Sequence, residues 1–148
     1  MILLDTGVLS VWLNTRERQE APRLVAFVDE LIESEGLSIS YVSVYELRRG
    51  IEELQRKEQG QRKRVRLEKV LGTCDILGLD SHLGWDAAAK LWADGRTQHP
   101  AIVIEDADLL IATTALVHER PFATTDERLA RNLEAIGFPM PVQVVPKK

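Results

Sequence analysis

Short apolar runs alternate with longer stretches of helical periodicity along almost the whole chain, and that alternation admits few folds. Ile2–Leu4, Leu37–Tyr41, Asp75–Leu79, Pro121–Thr124 and Val142–Val145 read as strands. Gly7–Leu13 reads as a short helix. Pro22 opens another, with Leu24, Val28, Leu31 and Ile32 on one face and Gly36 at its end. Ser43–Glu58 is expected to be helical and broken by Gly60, after which a basic helix runs to Leu71. The next helix spans Ser81 to about Ala93, with Leu83, Ala87 and Leu91 spaced for burial. A loop around Gly95–Pro100 then precedes Asp106–Val117, which is apolar nearly all round and so expected to be buried. Asp126–Ile136, closed by Gly137, is the last helix. Strands that alternate with helices pair in parallel, so the expected architecture is a parallel sheet covered on both faces. In such sheets binding and catalysis gather at the carboxyl edge of the strands.

With 148 residues, 45% of them hydrophobic, the chain can bury one core, and no repeat or linker marks a second domain within 1–148. The apolar start ends at Asp5 without a basic flank, and no stretch approaches the ~20 apolar residues of a membrane span, so neither export nor insertion is expected. Cys74 is the single cysteine and has no zinc-ligand spacing around it, which fits a reducing cytoplasm. A net charge of −4 argues at first against a nucleic-acid partner. The distribution argues otherwise. Nine basic residues (Arg48, Arg49, Arg56, Lys57, Arg62, Lys63, Arg64, Arg66, Lys69) and only four acids lie between Arg48 and Lys69, which leaves the remainder of the chain at −9. Taken as a charge run alone, that arm is a solvated helical hairpin. Beside a metal-loaded acidic pocket, it is suited to hold a polyanion.

Four acids fall where a strand hands over to a helix, or at the start of a helix beside one: Asp5, Glu46, Asp108 and Asp126. In a parallel sheet those positions share one edge. Each also has a local reading. Asp5 has the position of a helix cap, and Glu46 stands at capping-box spacing from Ser43. Asp106 and Asp108 fall in a first helical turn, where the helix dipole favours negative charge, and Asp126 has the position of a cap on the last helix. Together they make a row of like charges short of nearby cations. Such carboxylates either take up protons more readily or acquire a cation. Hard oxygen ligands suit Mg²⁺ or Mn²⁺, and a divalent ion held this way serves phosphodiester hydrolysis.

The segments Met1-Ile2-Leu3-Leu4-Asp5-Thr6, Val42–Gly50, Asp108–Leu116 and Ala123-Thr124-Thr125-Asp126 resemble, in order and spacing, the four acidic motifs of PIN-domain proteins, in particular the VapC-type toxins of toxin–antitoxin pairs. The resemblance covers essentially the whole chain. It implies an α/β fold, a three-layer α/β/α sandwich with a mainly parallel central sheet. It also implies a Mg²⁺-dependent endoribonuclease (Mn²⁺ as the alternative ion), an RNA substrate, a small cognate antitoxin and a homodimer. Carried over position by position, Asp5, Glu46, Asp108 and Asp126 form the acidic quartet, with Thr6 and Thr124 as orienting hydroxyls. Asp106 is a supporting acid, ranked behind Asp108 because only Asp108 aligns with the Ile111-Ala112 pattern. Arg48 and Arg49, one helical step beyond Glu46, are placed to meet RNA or an antitoxin carboxylate. The family commonly has Asn or Ser after the Asp-Thr pair, where this chain has Gly7, and often Arg before the fourth acid, where it has Thr125.

Two rivals stand beside this reading. A phosphatase of the haloacid dehalogenase type needs a second Asp two residues after the first, and Gly7 occupies that place. A non-catalytic PIN-like module that binds RNA or protein would not require all four acids. His82, His99 and His118 have no ligand spacing, and Trp12, Trp85 and Trp92 read as core or dimer contacts. Asp80-Ser81 reads as the cap of the helix that follows.

Overall fold

Each strand of the central sheet is joined to the next through at least one helix, and the five strands accordingly run in one direction. The computed structural model describes residues 1–54 and 57–147. The strands are β1 (Ile2–Leu4), β2 (Leu37–Ser40), β3 (Asp75–Leu77), β4 (Phe122–Thr124) and β5 (Val142–Val144), in the order β3-β2-β1-β4-β5 with every pairing parallel. The helices are α1 (Thr6–Leu13), α2 (Thr15–Gln19), α3 (Pro22–Glu33), α4 (Tyr41–Glu53), α5 (Glu58–Leu71), α6 (His82–Arg96), α7 (Asp106–Val117) and α8 (Glu127–Ala135). This is the parallel α/β architecture expected from the sequence.

Adjacent residues of β1 face opposite ways and divide the core in two. Leu4 packs with Val8, Leu24, Val28, Ile39 and Leu67 under α1, α3, α4 and α5. Leu3 packs with Ile111, Phe122, Leu129 and Leu133 under α7 and α8. The polar Ser38 and Ser40 of β2 are also buried; Ser38 Oγ donates to the Ile2 carbonyl, so its burial leaves no unmet hydroxyl.

The sheet order sets where function can sit. The chain moves outward from β1 through β2 to β3, then returns to the other side of β1 as β4. The direction of winding therefore reverses between β1 and β4, and a crevice opens beyond their carboxyl ends. Asp5 directly follows β1, and Asp126 stands two residues beyond β4.

Local chemistry places most boundaries. Pro22 sits in the first turn of α3, Asn14 caps α2 by accepting from Arg16 N and Glu17 N, and Ser40 caps α4 by accepting from Val42 N. Gly36 (φ +80°) and Gly137 (φ +78°) supply the left-handed turns after α3 and α8.

Several sequence expectations are corrected. The short helix α2 was not anticipated, because its five residues carry no buried side chain. Tyr41 begins α4 rather than ending β2. The helix expected over Ser43–Glu58 ends at Glu53, and Arg56 of the basic arm lies outside the described residues. Gly60 breaks nothing: it is a buried residue in the first turn of α5, and a side chain there would collide with the Leu54 carbonyl. In α6 the buried positions are Gly84, Ala88, Leu91 and Gly95, while Leu83 is 67% exposed. The helix approaches its neighbours through small residues, so the largest apolar side chains misled the periodicity. Trp12 is in the core, whereas Trp85 and Trp92 are exposed. Ser81 makes no capping hydrogen bond; the neighbouring Asp80 instead pairs with His118 at 3.2 Å.

Candidate active site

Asp5 is buried at the end of β1, with both oxygens engaged by donors on the chain. Its Oδ1 accepts from Thr6 N at 2.8 Å, which makes it the cap of α1, and its Oδ2 accepts from the Thr124 hydroxyl at 2.7 Å. Thr124 Oγ1 in turn accepts from Asp126 N at 3.0 Å. One buried hydroxyl thus joins the acid after β1 to the acid after β4. Asp126 caps α8 through Leu129 N at 3.0 Å. The local reading of both acids therefore holds, and does not exhaust what they do.

Glu46 behaves differently. The cap of α4 is Ser40, so Glu46 takes no part in a capping box at Ser43. Its Oε1 accepts from the Thr6 hydroxyl at 2.7 Å, and that hydroxyl lies 2.8 Å from Ser43 Oγ. A carboxylate only accepts, so the single Thr6 proton goes to Glu46 and Ser43 supplies the other bond. Asp108 accepts no hydrogen bond among the described residues. Asp106 is exposed in the first turn of α7 and does not line the cavity described next.

Asp5, Thr6, Gly7, Glu46, Asp108, Thr125 and Asp126 line one open cavity of about 590 Å³, together with Glu127, Arg128 and Lys147. Burial is the main force on its acids. It pushes the Asp5 carboxyl up, against the lowering pull of the Thr124 and Thr6 bonds, and the charges of Glu46 and Asp126 add to the rise. Burial also raises Asp108 to about 6, aided by the charges of Asp5, Glu105, Asp126 and Glu46. The charges of Glu46 and Asp126 thus bear on both Asp5 and Asp108.

Among the described residues, no three His, Cys, Asp or Glu side chains come together closely enough to hold a metal ion by themselves as they stand. The donor set still fits Mg²⁺ or Mn²⁺: all its atoms are oxygens, Asp108 is free to bind, and a cation would relieve the mutual repulsion. Mg²⁺ commonly keeps several waters and takes only one or two carboxylates directly, which suits acids spread round an open cavity.

Glu127, Arg128 and Lys147 were not anticipated as part of this site. Arg128 stands two residues beyond Asp126, a spacing that was available in the sequence. Lys147 had no such signal: it reaches the cavity because Val145 N donates to the Thr124 carbonyl, which lays the C-terminal segment over the same sheet edge. Arg48 and Arg49 lie outside the cavity. Arg48 pairs with Glu68 at 2.7 Å, and the Arg49 guanidinium sits 5.2 Å from the Tyr45 ring centre. Cys74 has no part in the site; burial and then Asp75 push its thiol up to about 11.

Fold and site together define an α/β protein with an acidic cavity at the point where its sheet reverses. The PIN domain model matches residues 2–133, and the chain belongs to the PIN-domain family, whose members are generally nucleases that use a divalent metal. Solved structures agree. FitAcB from Neisseria gonorrhoeae is 29% identical with a TM-score of 0.68, over 97% of this chain and 96% of that one. VapBC2 from Rickettsia felis, bound to a DNA fragment from their promoter, is 20% identical with a TM-score of 0.70, over 98% and 99%. DNA-bound VapBC from Salmonella typhimurium is 15% identical with a TM-score of 0.71, over 97% and 98%. Comparison with curated proteins finds no significant match. No helix among the described residues is long and apolar enough to cross a membrane.

Proposed function

We propose that this chain is a single-domain, Mg²⁺-dependent endoribonuclease and the toxin of a toxin–antitoxin pair. The observation that carries the reading is the meeting of Asp5, Glu46, Asp108 and Asp126 in one cavity, where their charges act on one another. Kinship with FitAcB, and likeness in fold to VapBC chains, support the toxin assignment.

In this reading Asp5, Glu46 and Asp108 hold the ion directly or through water, and Asp126 completes the site. The ion, Mg²⁺ or Mn²⁺, would supply charge neutralisation at the scissile phosphate and a lowered pKa for the attacking water. The chain's own residues do the positioning. Thr124 fixes Asp5, and Thr6 fixes Glu46, so neither carboxylate must be ordered when substrate arrives. Asp106, exposed in the first turn of α7 and outside the cavity, has at most a remote supporting role without ligating. Arg128 and Lys147 bring positive charge to a cavity that would otherwise repel a polyanion. Hydrolysis leaves a 5′-phosphate and a 3′-hydroxyl.

Arg48 and Arg49, outside the cavity, are contacts for the antitoxin or for RNA beyond the cut. The homodimer belongs to the same proposal: Trp85 (58% exposed) and Trp92 (44% exposed) stand seven residues apart on one face of α6 and present apolar surface. The cytoplasm, where RNA and a free thiol both occur, is the proposed site of action. The test is to express the chain alone and map 5′-phosphate ends in cellular RNA against an Asp108→Asn control. New ends in the parent alone support the enzyme. Identical profiles remove it and leave the non-catalytic module.

A further inference from the structure

The carboxylate cavity does not end at Glu46. A smaller cavity of about 100 Å³ shares Thr6 and Glu46 with it and is also lined by Ser10, Gly50 and Lys63. Lys63 in turn lines a third cavity of about 330 Å³, with Arg16 and Arg62. Through these shared residues the three concavities adjoin in a row, which we read as one groove from the acids, between α1 and α4, to α2 and α5.

Among the cations that line the groove, Arg62 pairs with Glu58, as Arg48 and Arg64 elsewhere on the basic arm pair with Glu68 and Glu52. Lys63 and Arg16 have no carboxylate partner among the described residues. The passage between them and the acids is bare: where a Cβ of residue 50 would stand, nothing lies within 4 Å. At the other end of the acidic cavity lie Arg128 and Lys147, so the acids are flanked by positive charge on both sides.

We propose that single-stranded RNA lies along this groove, with backbone phosphates beyond the cut held by Lys63 and Arg16, and with Gly50 as the gap through which the strand passes. The inference rests on the nuclease reading and deepens it by naming the substrate's path. A flexible single strand fits better than a duplex, because the middle cavity, walled by Ser10, Leu13, Leu47, Gly50 and Ile51, encloses only about 100 Å³. An acidic protein segment is the rival occupant. The groove favours phosphates, since it leads from the acids to Lys63 and Arg16, cations without a carboxylate partner among the described residues, and its apolar lining is confined to Leu13, Leu47 and Ile51 at the narrow stretch.

The test is fluorescence anisotropy of a labelled single-stranded RNA in Mg²⁺ buffer across a salt series, with Asp108→Asn in every protein to suppress cleavage. Lys63→Ala with Arg16→Ala is expected to weaken binding of all sequences alike, and to flatten the slope of log K against log salt by about 1.4, or ~0.7 for each lost phosphate contact. Gly50→Glu, a better helix former at an open position, is expected to weaken binding while thermal melts stay unchanged or rise. Arg23→Ala with Lys90→Ala removes the same charge at exposed positions off the groove and is expected to leave the slope nearly as it was. If the parent binds RNA and the Lys63/Arg16 pair matches it, or if the Arg23/Lys90 pair loses more, the path is wrong and the nuclease reading stands. If the parent binds no RNA, both fall. Displacement of RNA by poly-glutamate at equal charge, lost in the Lys63/Arg16 pair, would assign the groove to an acidic protein segment and overturn the proposal.

Discussion

A Cβ at position 7 would lie 2.9 Å from Thr125 Oγ1. The two places where the chain departs from the motifs of its family are therefore one departure: Gly7 leaves the space that the Thr125 side chain fills, at the wall of the acidic cavity. Alanine inside a helix is favoured over glycine by up to ~1 kcal/mol, whereas a contact this short forces Thr125 into another rotamer at a cost of about the same size. Gly7→Ala alone is expected to leave the melting temperature unchanged or lower it. In a Thr125→Ala background the same change is expected to raise it. A double-mutant cycle by thermal denaturation checks this, and zero coupling between the two positions would refute it.

The Thr124 hydroxyl holds two groups at once, donating to Asp5 Oδ2 and accepting from Asp126 N. Thr124→Val keeps the shape and leaves both without their partner, which is expected to destabilise the fold by about 1–3 kcal/mol and to weaken Mn²⁺ binding in calorimetry. Thr124→Ser is expected to restore both. A valine variant that binds Mn²⁺ like the parent would show that the hydroxyl serves the fold alone.

Asp108 gives a pH dependence whose sign is fixed by its environment. Its folded carboxyl titrates at about 6 against a reference of 3.8, so between those values the folded chain binds more protons than the unfolded one. Stability without metal therefore falls as pH rises through that window, and the penalty is complete above pH 6. Asp108→Asn removes it. Allowing for the partial exposure of this residue, the variant is expected to gain roughly 1 kcal/mol at pH 7.5, or about 2–4 °C in melting temperature, in EDTA buffer. Near pH 4 it should gain nothing. Equal gains at both pH values would mean that the like charges around Asp108 do not matter.

Divalent metal should reverse that penalty. A ligand present at a hundred times its dissociation constant adds about 2.7 kcal/mol, which for a chain of this size corresponds to roughly 5–10 °C. Mg²⁺ or Mn²⁺ is expected to produce such a rise in the parent and little in Asp5→Asn or Asp108→Asn. A rise of the same size in all three would place the ion elsewhere.

Much of this molecule was legible in its residues, because caps, glycine turns and hydrophobic period act over a few neighbours. Pro22, Gly36 and Gly137 mark their helices where they stand, the helix over Asp106–Val117 begins and ends as expected, and Asp5 and Asp126 lie where strands give way to helices. What escaped was fixed by partners distant in sequence. The family motif placed Glu46 among the acids, but its neighbours alone offered only capping-box spacing, and the partner it has is Thr6, forty residues away. Three of the four buried positions of α6 are small residues whose value lies in what approaches them, and Lys147 joins the acids only because β5 aligns beside β4. Local sequence determined which elements form and which carboxylates stand at their ends. The order of strands in the sheet decided which of those carboxylates meet, and that order depends on burying both faces at once, a condition no single segment contains.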